Sequence, residues 1–354
     1  MDTILRENHH PNCSGDRVLL GMSGGVDSAA AALLLMRAGY RVTALTLQTV
    51  SNGDGRRAAD VARALAIEHI KIDAVDDFHR DVIVPFVESW RSGETPNPCV
   101  LCNRDFKFRR LAEAADRLGC DYIATGHYAR LVGELPYRYL LRAKDRKRDQ
   151  SYFLYRLPRA ILDRTLLPLG NYTKDQVREI VSSFDVDLGQ KADSQDICFL
   201  GAMKLSQFLS EQGLEDIPGD FVDTRGAVLG EHRGSWHYSE GQRRGLGISL
   251  GERMTVLHKN SANNIVVLGD EEEAMIDSLE LRDVASIDQL PSTFDASVQL
   301  RSQGQPFPAH VVLEVDGSAS VRFESPVRLT SIGQSVVFYL ENRVLGGGIV
   351  RRMR

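Results

Sequence analysis

Apolar positions in the first 130 residues switch repeatedly between two periods. Arg17-Val18-Leu19-Leu20 is a short apolar run with the pattern of a buried strand. Ala29 to Met36 is an Ala/Leu run that predicts a helix, with Gly39 as its stop signal. Arg41 to Gln48, rich in Val, Leu and Thr, predicts a second strand. Arg56 to Ala66 predicts an amphipathic helix, His69 to Ala74 a third strand and Asp76 to Trp90 a helix. Phe106 to Leu118 carries Phe108, Leu111, Ala115 and Leu118 at helical spacing, and Asp121 to Thr125 closes the series as a strand. This alternation implies an α/β fold, an open doubly wound parallel sheet. Ligands bind such sheets at the carboxyl ends of the strands. The segment after the first strand, the Leu47 region and Thr125-Gly126-His127 are therefore expected to converge.

The pattern changes further on. Between Leu131 and Gln150, Arg138, Arg142, Lys144, Arg146, Lys147 and Arg148 face only Glu134, Asp145 and Asp149. Such a run is either a solvated hairpin or a phosphate-attracting surface. Tyr172 to Phe184 predicts a helix with Thr173 as N-cap. Gln190 to Gly201 leads into a short helix through Phe208. Beyond about residue 212, turn signals at 218–220, 223–226 and 230–234 separate short β-like runs. Ala296 to Leu300, His310 to Glu314, Ser320 to Phe323, Ser335 to Leu340 and Val344 to Val350 then follow at close intervals, as in a small barrel. The expected organisation is a polar tail at 1–16, a catalytic α/β domain at 17–211, a β-rich middle domain at 212–275 and a C-terminal β-barrel at 276–354.

Composition narrows the class. The chain has 354 residues, 43% hydrophobic and 26% charged, ordinary for a globular protein with a large core. No apolar run reaches the length of a membrane span, and Met1 to Asp16 lacks the apolar core of a signal peptide. The net charge of −5 confines any nucleic-acid binding to local patches. The five cysteines are Cys13, Cys99, Cys102, Cys120 and Cys198, an odd number in an untargeted chain. That points to a reducing cytoplasm and away from a disulfide framework. Cys13 reads as an incidental tail residue and Cys120 as a small core residue.

Chemistry concentrates in two places. Gly21-Met22-Ser23-Gly24-Gly25-Val26-Asp27-Ser28 joins a strand to a helix. Glycines let the backbone approach phosphate, and the free N–H groups of a first helical turn point at it. Ser23 and Ser28 add hydroxyls, and Asp27 can hold a cation beside the phosphates. No Lys follows the glycines, so this is not the loop of kinases and GTPases. The second place is Thr95-Pro96-Asn97-Pro98-Cys99-Val100-Leu101-Cys102-Asn103, ahead of a helix whose N-terminal field, with Arg104 and Lys107, favours thiolate. Two thiols that meet in space, Cys102 and the distant Cys198, can divide a sulfur transfer.

The glycine loop resembles the SGGxDS loop of the ATP-pyrophosphatase superfamily, whose sheet is of the adenine nucleotide alpha hydrolase type. Over nearly its whole length the chain resembles the tRNA-specific 2-thiouridylases. The shared motifs are GMSGGVDS, the TPNPxxxCN segment ending at Lys107-Phe108, ATGHYAR at 124–130, DQSYFL at 149–154, DSQDICFLG at 193–201, the stretch Tyr238 to Ile248 and Leu345 to Ile349. The resemblance implies adenylation of the C2 oxygen of a wobble uridine by ATP with Mg²⁺, then delivery of sulfur from a persulfide on Cys198. Cys102 attacks that persulfide, freeing hydrosulfide or leaving a disulfide. It implies ATP contacts from 21–28, Leu47 and Gly126, and Mg²⁺ at Asp27. It also implies contacts to the target base from Asn97, Pro98 and Cys99, and to tRNA from Arg148, Asp149, Gln150, Arg301 and Ser302. The partners implied are a tRNA and an upstream sulfur donor, either a cysteine desulfurase, a relay protein or free sulfide.

Two departures stand out. Many members carry Asp where this chain has Cys99, an acid thought to assist the neighbouring cysteine. Cys99 either fills the position passively, forms a redox pair with Cys102, or joins Cys102 and Cys198 as ligands of an iron–sulfur cluster that passes on sulfide. Ser302 stands where an aromatic residue is expected. His127 reads equally as a nucleotide contact or a support for its turn. The alternatives to thiolation are another adenylating ligase or amidotransferase, and a tRNA-binding homologue without catalysis.

Overall fold

A computed structural model describes residues 15–50, 55–134, 138–184, 197–248 and 253–354. The polar tail with Cys13, part of the loop after the second strand, and 193–196 of the DSQDICFLG motif lie outside the described residues. The chain groups into two compact units.

The first unit holds residues up to Val82, Cys99–Phe199 and Glu341–Val344. Its centre is a five-stranded parallel sheet of order β3-β2-β1-β4-β7: β1 (Arg17–Gly21), β2 (Arg41–Gln48), β3 (Glu68–Asp73), β4 (Tyr122–Ala124) and β7 (Thr165–Leu166). The doubly wound expectation holds in its strands. Register pairs Gly21 with Leu45 and Leu47 with Ile72, so the ends of β1, β2 and β3 lie together. Helix α1 (Val26–Arg37) is apolar nearly all round. Ala29, Ala30, Ala31 and Ala32 are buried, and its small side chains share a core with Val177 and Val181 of α5 (Lys174–Ser182). Helix α2 (Arg56–Ala64) follows β2 and buries Ala58, Val61 and Ala62. A hairpin not predicted as strands, β5 (Ala129–Val132) and β6 (Tyr139–Arg142), forms next to the site.

The helix expected at Asp76 to Trp90 is present in three parts. Val75–Phe78 is α-helical, His79–Ile83 is a π-turn, and α3 (Val84–Arg91) completes it. The helix expected from Phe106 starts eight residues earlier: Pro98–Leu101 is α-helical, Cys102–Lys107 is π-helical, and α4 (Phe108–Leu118) follows. Cys99 and Cys102 therefore lie in helical structure, not in a loop ahead of it. Pro98 starts the run because its fixed φ and missing N–H suit a first helical position.

The second unit contains Ile83–Pro98, Leu200–Leu340 and Leu345–Arg354. A four-stranded sheet of order β10-β11-β8-β9 is built from β8 (Gly219–Val222), β9 (Val228–His232), β10 (Thr255–Asn260) and β11 (Ile265–Gly269), around Phe221, Tyr238, Val256, Val266 and Leu268. The turn at Asp223 is held by its own carboxylate, which accepts from the N–H groups of Arg225 and Ala227. Six antiparallel strands, β12 (Met275–Ser286), β13 (Thr293–Gln299), β14 (Pro306–Leu313), β15 (Ala319–Arg328), β16 (Ser335–Leu340) and β17 (Arg343–Met353), close into a barrel through a β12–β17 pairing. Five of these were expected. The longest, β12, was missed because Asp277, Glu280, Arg282 and Asp283 interrupt its apolar pattern. β17 slips register against β12 between Gly347 and Ile349, and beside the slip a Cβ on Gly346 would lie 2.3 Å from the Ala285 carbonyl oxygen.

Candidate active site

The Gly21–Ser28 loop runs from the end of β1 into α1, as its sequence predicts. Gly24 has φ +76, and a Cβ on it would stand 2.6 Å from the Ala58 nitrogen, so α2 closes the position to any side chain. Gly25 caps α1 without a side-chain bond, and Ala29 N–H donates to the Gly25 carbonyl. The preceding amides of that turn have no acceptor within the helix. Ser28 Oγ donates to the Gly25 carbonyl (3.0 Å), and Ser23 Oγ accepts from Gly25 N–H (3.3 Å). Thr46 Oγ1 donates to the Met22 carbonyl (2.8 Å) and lies 2.9 Å from His69 Nε2, so β2 and β3 brace the loop from below. Burial holds the His69 pKa down, which keeps this brace neutral.

Asp27 is engaged. Its Oδ1 accepts from Lys174 Nζ and from the Tyr128 hydroxyl, both at 2.7 Å. Lys174 is buried, and a reciprocal capping box between Thr173 and Gln176 fixes the start of α5 that carries it. Asp145 accepts from Lys174 N–H (3.0 Å). A cation beside Asp27 would use Oδ2 or displace Lys174. The residues fit such a cation only in that sense. Sequence reading missed Lys174 and Tyr128. The signal was present: an N-capped helix starting with lysine, and the Tyr of ATGHYAR.

Gly126 packs tightly against the start of α1. A Cβ there would meet the Asp27 carbonyl carbon and oxygen at 3.0 and 3.1 Å, so the glycine admits the start of α1. His127 is a support. Nδ1 lies 2.7 Å from Thr125 Oγ1, the ring stacks on Phe108, and burial with the Lys107 charge lowers its pKa well below the usual value. A cavity of about 540 Å³ opens at the ends of β2 and β3, lined by Gln48, Asp73, Ala74, Val75, Asp76 and Asp77. Leu47 is the penultimate residue of β2, beside it in sequence.

The structure brings the thiols of Cys99, Cys102 and Cys198 into electrostatic reach of one another and of Lys107. Cys99 and Cys198 are exposed, Cys102 is half-buried, and all are free. Lys107 Nζ donates to Asn103 Oδ1 (3.0 Å), and buried Asn103 donates to the Phe153 carbonyl (3.1 Å). Burial pushes the Cys102 thiol up to about 11, against the downward pull of Lys107. Cys99, hemmed in behind its accessible face, is raised for the same reason. The expected thiolate stabilisation at a helix N-terminus is thus outweighed by desolvation. Arg104 is paired with Asp105, and Lys107 supplies the positive charge that the thiols feel. Among the described residues no three His, Cys, Asp or Glu side chains converge to hold a metal ion. Cys120 is buried core, as expected.

The basic run is smaller than it reads. Arg138 is buried and donates to the Asp163 and Thr165 carbonyls. Arg142 pairs with Asp149 (3.1 Å), whose carboxylate also takes the N–H groups of Ala143 and Ser151. Asp149 is consequently turned inward and shapes its loop. Gln150 Oε1 accepts from Tyr128 N–H (2.9 Å). Lys144, Arg146 and Lys147 are exposed. Arg301 is exposed but donates to the Leu329 carbonyl (3.2 Å), and the Ser302 carbonyl accepts from Gln299.

Comparison with known proteins decides the family. A family described as "tRNA methyl transferase HUP domain" matches residues 16–202. "tRNA methyl transferase PRC-barrel domain" matches 206–270 and "Aminomethyltransferase beta-barrel domain" 276–350. The chain is 38% identical to the tRNA-specific 2-thiouridylase MnmA of Clostridium perfringens, covering 95% of this chain and 99% of that protein. The chain belongs to the tRNA-specific 2-thiouridylase family. It is 40% identical to the tRNA-specific 2-thiouridylase MnmA 3 of Bacteroides fragilis over 96% of each chain. It is 41% identical to the 2-thiouridylase of Syntrophotalea carbinolica over 94% of this chain and 97% of that one. The likeness to the thiouridylases thus spans the glycine loop, both thiol segments and the barrel.

Proposed function

We propose that this protein is a tRNA-uridine 2-sulfurtransferase that uses ATP to activate the wobble uridine. The observation that carries the reading is the pairing of a phosphate-ready glycine loop with two thiol segments in one α/β unit of a thiouridylase chain. The family descriptions speak of methyl transfer and the relatives of thiolation. Cys102 beside Cys198 favours sulfur, because a persulfide relay needs two thiols.

The Gly24–Ser28 turn and the amides of α1 would take the phosphates, with Ser23 and Ser28 as hydroxyl donors. Lys174 would supply the cation that the loop lacks, exchanging Asp27 for phosphate while Asp27 turns to Mg²⁺. The acidic cavity by Gln48 and Asp73 suits the uncharged nucleoside end. The uridine must leave the anticodon stack to reach the loop, with Asn97, Pro98 and Cys99 at the base. Arg148, Gln150, Arg301, Ser302 and the exposed lysines would contact the RNA.

In the first step the C2 oxygen attacks the α-phosphorus and pyrophosphate leaves, turning a poor leaving group into AMP. The terminal sulfur of a Cys198 persulfide then attacks C2 and AMP departs. Cys102 thiolate attacks the Cys198 sulfur, the S–S bond breaks, and 2-thiouridine leaves with a Cys102–Cys198 disulfide, which a thiol reductant reopens. The alternative order, in which Cys102 first frees hydrosulfide, ends in the same disulfide. Lys107 lowers the cost of forming the Cys102 thiolate. The persulfide route is preferred to an iron–sulfur route because it needs only the two thiols of Cys102 and Cys198. The sulfur enters from a cysteine desulfurase, a relay protein or sulfide in the cytoplasm. In a strain deleted for this gene, tRNA should lack 2-thiouridine. Wild type should restore it and Cys198→Ala should not; equal rescue by Cys198→Ala would remove Cys198 from the chemistry.

A further inference from the structure

Two side chains hold Asp27, and one turn of the same unit anchors both of them. Lys174 Nζ and the Tyr128 hydroxyl donate to Asp27 Oδ1. The backbone of each donor is fixed by the segment 144–150, which follows β6. Asp145 uses both carboxylate oxygens. Oδ1 accepts from Lys147 N–H (3.1 Å) inside the turn, and Oδ2 accepts from Lys174 N–H (3.0 Å) at the start of α5. The Asp145 carbonyl takes Arg148 N–H (3.1 Å), and Lys144 N–H donates to the Gly170 carbonyl (2.9 Å), just ahead of the α5 cap. Gln150 grips Tyr128 twice: its N–H donates to the Tyr128 carbonyl (2.7 Å), and its Oε1 accepts from Tyr128 N–H (2.9 Å). On the same turn Lys144, Arg146 and Lys147 are exposed. Tyr128 and Ala143 are buried in one core with α1 and with Val177 of α5. The basic turn therefore stands on the helix that the glycine loop starts.

We propose that Asp145 is a positioning residue that couples RNA held on the 144–148 turn to nucleotide held on the glycine loop. The inference rests on the thiolation reading above. RNA phosphates drawn to Lys144 and Lys147 order the turn. The ordered turn fixes Asp145, and Asp145 fixes the Lys174 backbone, so only the Lys174 side chain is left to place against phosphate. That ordering cost falls on whichever ligand arrives first, and the second binds more tightly. The bridge requires two acceptor oxygens facing different donors. A carboxylate has them and a carboxamide has one, so Asp145→Asn keeps the turn contact or the helix contact but not both. The substitution also removes a negative charge from the turn. That change alters RNA affinity with and without nucleotide alike and cancels in their ratio. Direct contact between the uridine and the nucleotide does not pass through Asp145 and survives the substitution.

The test measures binding of an unmodified tRNA by fluorescence anisotropy, with and without a non-hydrolysable ATP analogue and Mg²⁺. Calorimetry measures the analogue with and without the tRNA. In wild type each ligand should tighten the other by the same factor, about fivefold or more. In Asp145→Asn that factor should fall to within about twofold of one, with an unchanged thermal melt. Lys174→Met keeps its N–H on Asp145, and with it the turn, and should lose the coupling as well; it decides the question should Asp145→Asn fail to fold. A wild-type factor near one, or a factor that persists in either folded variant, would overturn the proposal. Wild type that binds both ligands with this coupling but never yields 2-thiouridine from a persulfide donor would instead overturn the thiolation reading itself.

Discussion

Replacing Lys174 by Met isolates the electrostatics of the glycine loop. Lys174 Nζ lies 2.7 Å from Asp27 Oδ1, with its side chain 9% exposed against 37% for Asp27. Water can reach the abandoned carboxylate, so the loss of stability should stay near 1 kcal/mol. Nucleotide affinity should respond far more strongly. If Lys174 transfers to phosphate when ATP enters, the variant forfeits a charge-assisted hydrogen bond of about 1.5–3 kcal/mol. That corresponds to about 10- to 150-fold in Kd. The loss should fall on ATP and pyrophosphate and spare AMP, whose single phosphate would sit nearer the sugar end. Calorimetric titration of both proteins with ATP and AMP measures it. Equal weakening of both ligands would make Lys174 an anchor of α5 only. Undiminished ATP binding would refute the exchange.

Three other perturbations follow from the same structure. Gly24→Ala places a Cβ 2.6 Å from the Ala58 nitrogen at positive φ, and should cost about 1–3 kcal/mol in denaturant melts and weaken ATP binding. Cys102, with its thiol pushed up to about 11, should alkylate slowly at neutral pH and faster as pH rises towards that value; Lys107→Met should slow it further at any fixed pH, read by mass spectrometry of the labelled peptide. In the second unit, buried Glu240 has its pKa raised by burial and Lys259 its pKa lowered. Lys259→Met removes the cation that offsets the burial of Glu240 and should destabilise the fold by about 1–3 kcal/mol, and adding Glu240→Gln should return most of it. In Lys259→Met alone, Glu240 binds its proton more tightly folded than unfolded. Stability should rise as pH falls from the raised folded pKa towards the ordinary carboxylate value, a trend absent from the double variant.

Strand and helix periodicity were sufficient to read the first four strands of the parallel sheet, since β1 and β2 carry buried apolar runs and alternate with helices in the chain. β12 escaped because its register slips near Asp277 and again around Asp283, which interrupts the alternation of apolar and charged positions. The loop chemistry was equally legible: glycines and serines announce phosphate through their geometry alone. What sequence could not supply was pairing across the fold. Asp27 looked like an open cation ligand until Lys174, 147 positions away, closed on it. The ties of Asp149 to Arg142 and two backbone amides are equally invisible in the sequence. The thiol near a helix start looked activated because the dipole is visible in sequence, whereas the burial that outweighs it is not.

The most direct test of the account is nucleoside analysis of an unmodified tRNA incubated with the purified protein, ATP with Mg²⁺ and a persulfide donor. The account predicts one pyrophosphate per 2-thiouridine, with thiolation lost in both Cys102→Ala and Cys198→Ala while pyrophosphate release persists. Full 2-thiouridine formation in either cysteine variant, or its formation without ATP, would contradict it.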